Sequence, residues 1–140
     1  MSSEEILGLD VGAKQTGIAR ASNVARLAEP LISVPTAAAI GTLKKYIKEH
    51  DVEAVAIGLP RNLQGEDTTQ TLWVREWVDK AKQQIGIPLY WQDEALTSLL
   101  AEAKDQKSKI KNQHFDEHAM AAAIILQDFL DSSEADRMLA

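Results

Sequence analysis

Apolar and polar positions follow two periods along this chain, and the changes between them mark out the elements. Ile6-Leu7-Gly8-Leu9 is apolar without interruption up to Asp10, as expected of a strand covered on both faces. Gln15 to Ala21 and Ala28 to Val34 follow at separations too short for a crossover helix, which predicts a three-strand antiparallel meander. Pro35 and Thr36 then break the pattern and offer an N-cap. Behind them Ile40, Leu43 and Ile47 recur at helical spacing. Val52 to Gly58 reads as a fourth strand, ended by Leu59-Pro60. Asp67 and Gln70 have the spacing of a capping box, for a helix reaching about Gln84. Its inner stripe is Val74, Val78, Ala81 and Ile85, with Trp73 and Trp77 beside it; core packing suits the two tryptophans better than base stacking. Ile87 to Trp91 is a fifth strand, and a short helix near Ser98 to Lys104 follows. The last helix covers about Glu117 to Leu130, with Ala122, Ile125, Leu126 and Phe129 facing inward.

This order predicts an α/β fold: a five-stranded mixed sheet, the meander plus two parallel strands, flanked by helices. The 140 residues fit a single domain spanning 1–140, with no repeat or linker to divide it. The lack of cysteine excludes disulfides and thiolate zinc sites. No apolar run approaches the ~18–20 residues of a membrane span, and the acidic start, Met1 to Glu5, leads into no targeting segment. A soluble, cytoplasmic protein without membrane contact is expected.

The net charge of −6 argues against indiscriminate, charge-driven binding to nucleic acid. The basic residues are nonetheless grouped. Lys104, Lys107, Lys109 and Lys111 are opposed only by Asp105, and Arg20 and Arg26 mark a second basic area near Lys14. The lysine run reads either as a solvated loop or as a surface for phosphates.

The acids carry the chemistry. Asp10 closes a buried strand at a glycine turn, and Asp93-Glu94 ends another apolar run in the same way. An unpaired buried charge costs several kcal/mol or more, so a metal, a cation or a catalytic duty must compensate it. Ligand sites in such sheets gather beyond the carboxyl ends of parallel strands. Asp10 and Glu94 both fall there, and a divalent cation is the natural occupant of a site they share. Gly12 and Gly17 permit close backbone approach beside Asp10.

The segments LGLDVGAKQTGIARA, EPL at Glu29 to Leu31, GLPRNLQGEDTTQ from Gly58, VREW from Val74, DEALTS from Asp93 and AAAIILQDFL from Ala121 resemble the YqgF/RuvX family. Its members are pre-16S rRNA nucleases and Holliday-junction-resolvase-like enzymes with the ribonuclease H fold. The resemblance runs from Ile6 to about Leu130. It implies a two-metal phosphodiesterase using Mg²⁺ or Mn²⁺, hard cations that prefer oxygen ligands. Asp10 matches the family's first-strand aspartate, and Glu94 the glutamate after the fifth strand. Family members usually place a third acid nine residues before a glutamine; counting back from Gln127 reaches His118, with Asp116 and Glu117 just before it. Helical phase sets Asp116 and His118 on opposing faces, so Asp116 reaches the site only if the helix begins after it and the chain bends. Chemistry therefore names Asp116 as the third ligand, whereas alignment names His118, as a Mn²⁺ ligand or general base. Lys14, Arg61, Lys107, Lys109 and Lys111 are the candidate nucleic-acid contacts, with Arg75 a further one. Gln15 and Ala95 stand where the family commonly has arginine, which removes two possible phosphate clamps.

The reading is a metal-dependent endonuclease for structured RNA, most plausibly in 5′ maturation of pre-16S rRNA. Branched DNA is the principal other substrate, and a nucleic-acid-binding relative without activity is a further reading. A sugar-kinase-type phosphotransferase shares the Asp-x-Gly turn but needs two such domains, more than this length holds. The state is monomer or homodimer, a patch at Trp73 or Trp77 being the first suspect for an interface.

Overall fold

The computed structural model describes residues 4–109 and 117–140. Strands β1 (Glu5–Val11), β2 (Gln15–Ser22) and β3 (Glu29–Pro35) form the expected meander. Helix α1 (Thr36–Glu49) returns the chain to β4 (Val52–Arg61), parallel to β1. Helix α2 (Thr69–Lys82) leads likewise to β5 (Leu89–Ala95), parallel to β4. Helices α3 (Leu96–Lys109) and α4 (Glu117–Asp131) follow, and α3 is longer than the short helix expected. After one 3₁₀ turn, β6 (Met138–Leu139) pairs antiparallel with β5. The sheet order is β3-β2-β1-β4-β5-β6, so the described residues form six strands rather than five. Two residues are too few for an alternation to show in sequence, which is why β6 escaped notice.

Period-two alternation sorts β1 between two layers. Leu7, Leu9 and Val11 join Leu43 of α1 and Val74 and Val78 of α2 in one core. Ile6 turns the other way, against Ala122, Leu126 and Phe129 of α4. The sheet offers α4 mostly small residues, among them Ala19, Ala21, Ala54 and Ala56. Glycines complete that bed. A Cβ at Gly8 would lie 2.6 Å from Leu126 Cβ, one at Gly58 2.5 Å from Ile125 Cδ1, and one at Gly17 1.9 Å from the His118 carbonyl oxygen. Helix α4 thus rests on backbone across β2, β1 and β4, while Leu99 and Ala103 of α3 pack on its outer side.

Several boundaries differ from the sequence reading. Strand β4 does not end at Leu59-Pro60 but runs through them to Arg61, with Pro60 paired to Glu94. The capping box of α2 uses Thr68 and Thr71, not Asp67 and Gln70: Thr68 Oγ1 accepts from Thr71 N, and Thr71 Oγ1 accepts from Thr68 N. The buried Thr71 hydroxyl also donates to the Pro60 carbonyl, fastening the helix to the end of β4. Asp67 is occupied instead by ion pairs with Arg61 and Arg75. Strand β5 begins two residues late and continues to Ala95, so Asp93 and Glu94 lie within it, not beyond it. Trp77 is buried and Trp73 packs against the same core, so these tryptophans form no exposed patch. No helix among the described residues is long and apolar enough to cross a membrane.

Candidate metal centre

Asp10 lies on the α4 side of β1, directly opposite Gly17 of β2. Because Gly17 has no side chain, the first turn of α4 descends onto β2 and brings His118 down beside Asp10. His118 Nδ1 is 3.3 Å from Asp10 Oδ2. The neighbouring turn is fixed by buried threonines. Gly12 N donates to Gln15 O, Thr36 N donates to Lys14 O, and the Thr36 hydroxyl donates to Gly12 O at 2.6 Å. Thr16 Oγ1 completes the set, 2.9 Å from Thr36 Oγ1. Lys14 is held at this turn with its side chain exposed. Gln15 Oε1 accepts from Ser33 Oγ at 3.4 Å.

Glu94 reaches the same face from two strands away. Leu9 pairs with Ile57, Gly58 with Gln92 and Pro60 with Glu94, which sets Glu94 two residues further along than Asp10. Ordinary sheet spacings then put their Cα atoms roughly 12 Å apart. Two carboxylates at that separation suit a pair of ions about 4 Å apart better than a single shared ion. Among the described residues, no three histidine or acidic side chains are grouped closely enough to hold one ion together.

Glu94 sits in a carboxylate-rich setting that the sequence reading missed. Burial pushes its carboxyl up to about 9, aided by a hydrogen bond with Asp128 and by the nearby charges of Asp128, Glu102 and Asp93. Its Oε1 is buried and has no hydrogen-bond partner among the described residues. A buried acceptor left unpaired is costly, and a divalent cation is one group that satisfies it. The donors present, carboxylate oxygens with one imidazole, suit Mn²⁺ fully and Mg²⁺ through the oxygens. Asp128 had a legible signal, since it continues the helical stripe of Ala121, Ile124 and Ile125 that faces α3. Glu102 had none.

The remaining candidates divide. Arg61 pairs with Asp67 and with Asp93, both at 3.0 Å, and Arg75 lies over the Trp91 ring as well as near Asp67. Both arginines are therefore engaged within the protein. Asp116 and Lys111, and the side chains of Lys107 and Lys109, lie outside the described residues.

The chain matches the family described as RuvX, Holliday junction resolvase, over residues 4–132. A protein of Roseiflexus sp. (strain RS-1) named "Putative pre-16S rRNA nuclease" is 37% identical, the match covering 94% of this chain and 99% of that one. Proteins of the same name from Chloroflexus aggregans and Rickettsia typhi are 35% and 32% identical, over 94% and 93% of this chain and 96% and 86% of theirs. Among solved structures, T. thermophilus RuvC in complex with a Holliday junction substrate superposes with a TM-score of 0.60 at 16% identity, covering 98% of this chain and 99% of that one. That likeness shows the ribonuclease H-like fold. With nearly the whole chain matched, and its acids on the sheet face that α4 covers, the protein belongs to the RuvX family.

Proposed function

We propose that this protein is a divalent-metal-dependent endonuclease that hydrolyses phosphodiester bonds in structured RNA, acting in the 5′ maturation of pre-16S ribosomal RNA in the cytoplasm. One observation carries the reading: Asp10, paired with His118, and Glu94, with an orphaned oxygen, share one sheet face at the carboxyl ends of parallel strands. Asp10 and Glu94 would hold Mg²⁺ or Mn²⁺, with His118 or Asp116 as the third group. When bound, the ions activate water and neutralise charge developing on the phosphate.

The chain's own residues do the rest. The rigid β1 strand and the threonine-fastened turn keep Asp10 from drifting, which a metal site requires. His118 orients the Asp10 carboxylate and is positioned to exchange a proton with water beside it. Lys14, exposed at the same turn, contacts a phosphate flanking the cut, and Lys107, Lys109 and Lys111 supply further backbone contacts. Arg61 acts mainly by holding Asp93 and Asp67 in place.

Mn²⁺ or Mg²⁺ should support cleavage of an RNA carrying the precursor 5′ end. Asp10→Asn and Glu94→Gln should each lower kcat by more than the roughly 100-fold that outer-shell partners of a metal cost, with circular dichroism unchanged. Undiminished cleavage in both variants would dissociate the activity from this face. Binding without cleavage under either metal would indicate an inactive relative. The family's description as a Holliday junction resolvase favours branched DNA as the second substrate; cleavage of a four-way junction alone would replace the RNA assignment.

A further inference from the structure

Between β4 and α2 the chain makes a tight turn beside the outer end of β5, and its shape is over-determined. Asn62 N donates to Glu66 O, and the Asn62 side-chain oxygen accepts from Gln64 N at 3.0 Å and Glu66 N at 2.9 Å. Gly65 N donates to Asn62 O with φ at 76°, a left-handed conformation that glycine adopts without strain. Arg61 closes the base through a β-bridge to Asp67, an ion pair with the same residue and another with Asp93.

This rigid turn presents Leu63, 67% exposed. An exposed leucine alone is ordinary. Leu63, however, lines a cavity of about 240 Å³ together with Arg61, Asn62, Glu94 and Ala95, so it is one wall of a recess that also contains a proposed metal ligand. The surrounding charge indicates which part of a nucleic acid fits there. Arg61, the cation that lines the recess, is engaged by Asp67 and Asp93 and is not available to grip a phosphate, whereas Leu63 and Ala95 offer an uncharged surface to the face of a base.

We propose that Leu63 is a rest for an unpaired nucleobase flanking the scissile phosphate. The inference rests on the nuclease reading and deepens it. Apolar side chains that meet base faces favour unstacked nucleotides, and a side chain on a pre-ordered turn loses little freedom on contact. The site would thereby favour single-stranded flanks over continuous duplex.

The test compares wild type, Leu63→Ala and Leu63→Phe on two sets of RNA: intact strands, and strands with an abasic residue placed in turn at each of the nucleotides flanking the cut. Cleavage and fluorescence-anisotropy binding are both read. Leu63→Ala should weaken binding of the intact strand by about fivefold, below the range found for aromatic stacking, and Leu63→Phe should restore it. At one abasic position wild type and Leu63→Ala should become equal, which a merely structural role for Leu63 would not produce. Wild-type cleavage with Leu63→Ala unchanged, or with equal losses at every abasic position, overturns the base rest and leaves the nuclease reading intact. Wild-type protein that neither binds nor cuts these strands overturns both.

Discussion

His118 depends on a residue with no side chain. The His118 carbonyl occupies the space a Cβ would fill at Gly17, and the ring then lies at 3.3 Å from Asp10. Gly17→Ala should force α4 away from β2 and destabilise the domain by about 3 kcal/mol, at the upper end of overpacking costs; urea denaturation measures it. Much at this scale was legible in the sequence. Asp10 declared itself by ending an apolar run with a charge, and Gly17 by being a glycine within a strand. What approaches Gly17 was not legible, because a strand glycine marks a close approach without naming the visitor. Of the two candidates for the third group, His118 lies on the Asp10 side, and Asp116 lies outside the described residues.

At the scale of elements, the far end of the meander has its own polar fastening. Glu5 of β1, nearly buried, accepts from Arg20 Nε at 2.9 Å and from the Tyr46 hydroxyl of α1 at 2.6 Å, and Arg20 also pairs with Glu29 of β3. Burial pushes the Glu5 carboxyl up, but Tyr46 and Arg20 together hold it below the usual glutamate range. A carboxyl lowered in the folded state stabilises above its unfolded value, and that stability is lost as pH falls through the lowered one. Tyr46 is pushed up to about 12, first by burial and then by Glu5, so its contribution is complete below pH 10 and lost as pH rises towards 12. Denaturation midpoints measured across the acid range should fall more steeply for wild type than for Glu5→Gln. The three-strand meander and the alternation of β4 and β5 with helices were read correctly from spacing. The start of β5 was not. Ile87 and Pro88 look like strand, but proline cannot donate to the ladder, and pairing with β4 begins where Val55 N meets Pro88 O.

Across the whole molecule, both margins of the sheet are managed. Pro30 and Pro35 blunt β3. The chain's last residues cover β5: Leu139 pairs with Tyr90, Met138 with Trp91, and Ala140 N donates to Leu89 O. Arg137 lies 4.5 Å from the Phe129 ring centroid and 5.9 Å from that of Tyr90, joining this cover to α4. Removing residues 137–140 should cost about 1–2 kcal/mol in lost ring and backbone contacts, measured as a lower Tm. It should also promote self-association through the bared strand edge, read by light scattering. The α/β class was legible because meander and crossover spacings differ so plainly; this margin was not, because six residues of turn and strand carry no periodic signal. The glycine bed under α4 has a last consequence, for timing. Its notches come from three strands, β2, β1 and β4, that must lie side by side before the helix can fill them. Asp10 and His118 therefore meet only when β1 and β2 are paired and α4 has settled on them.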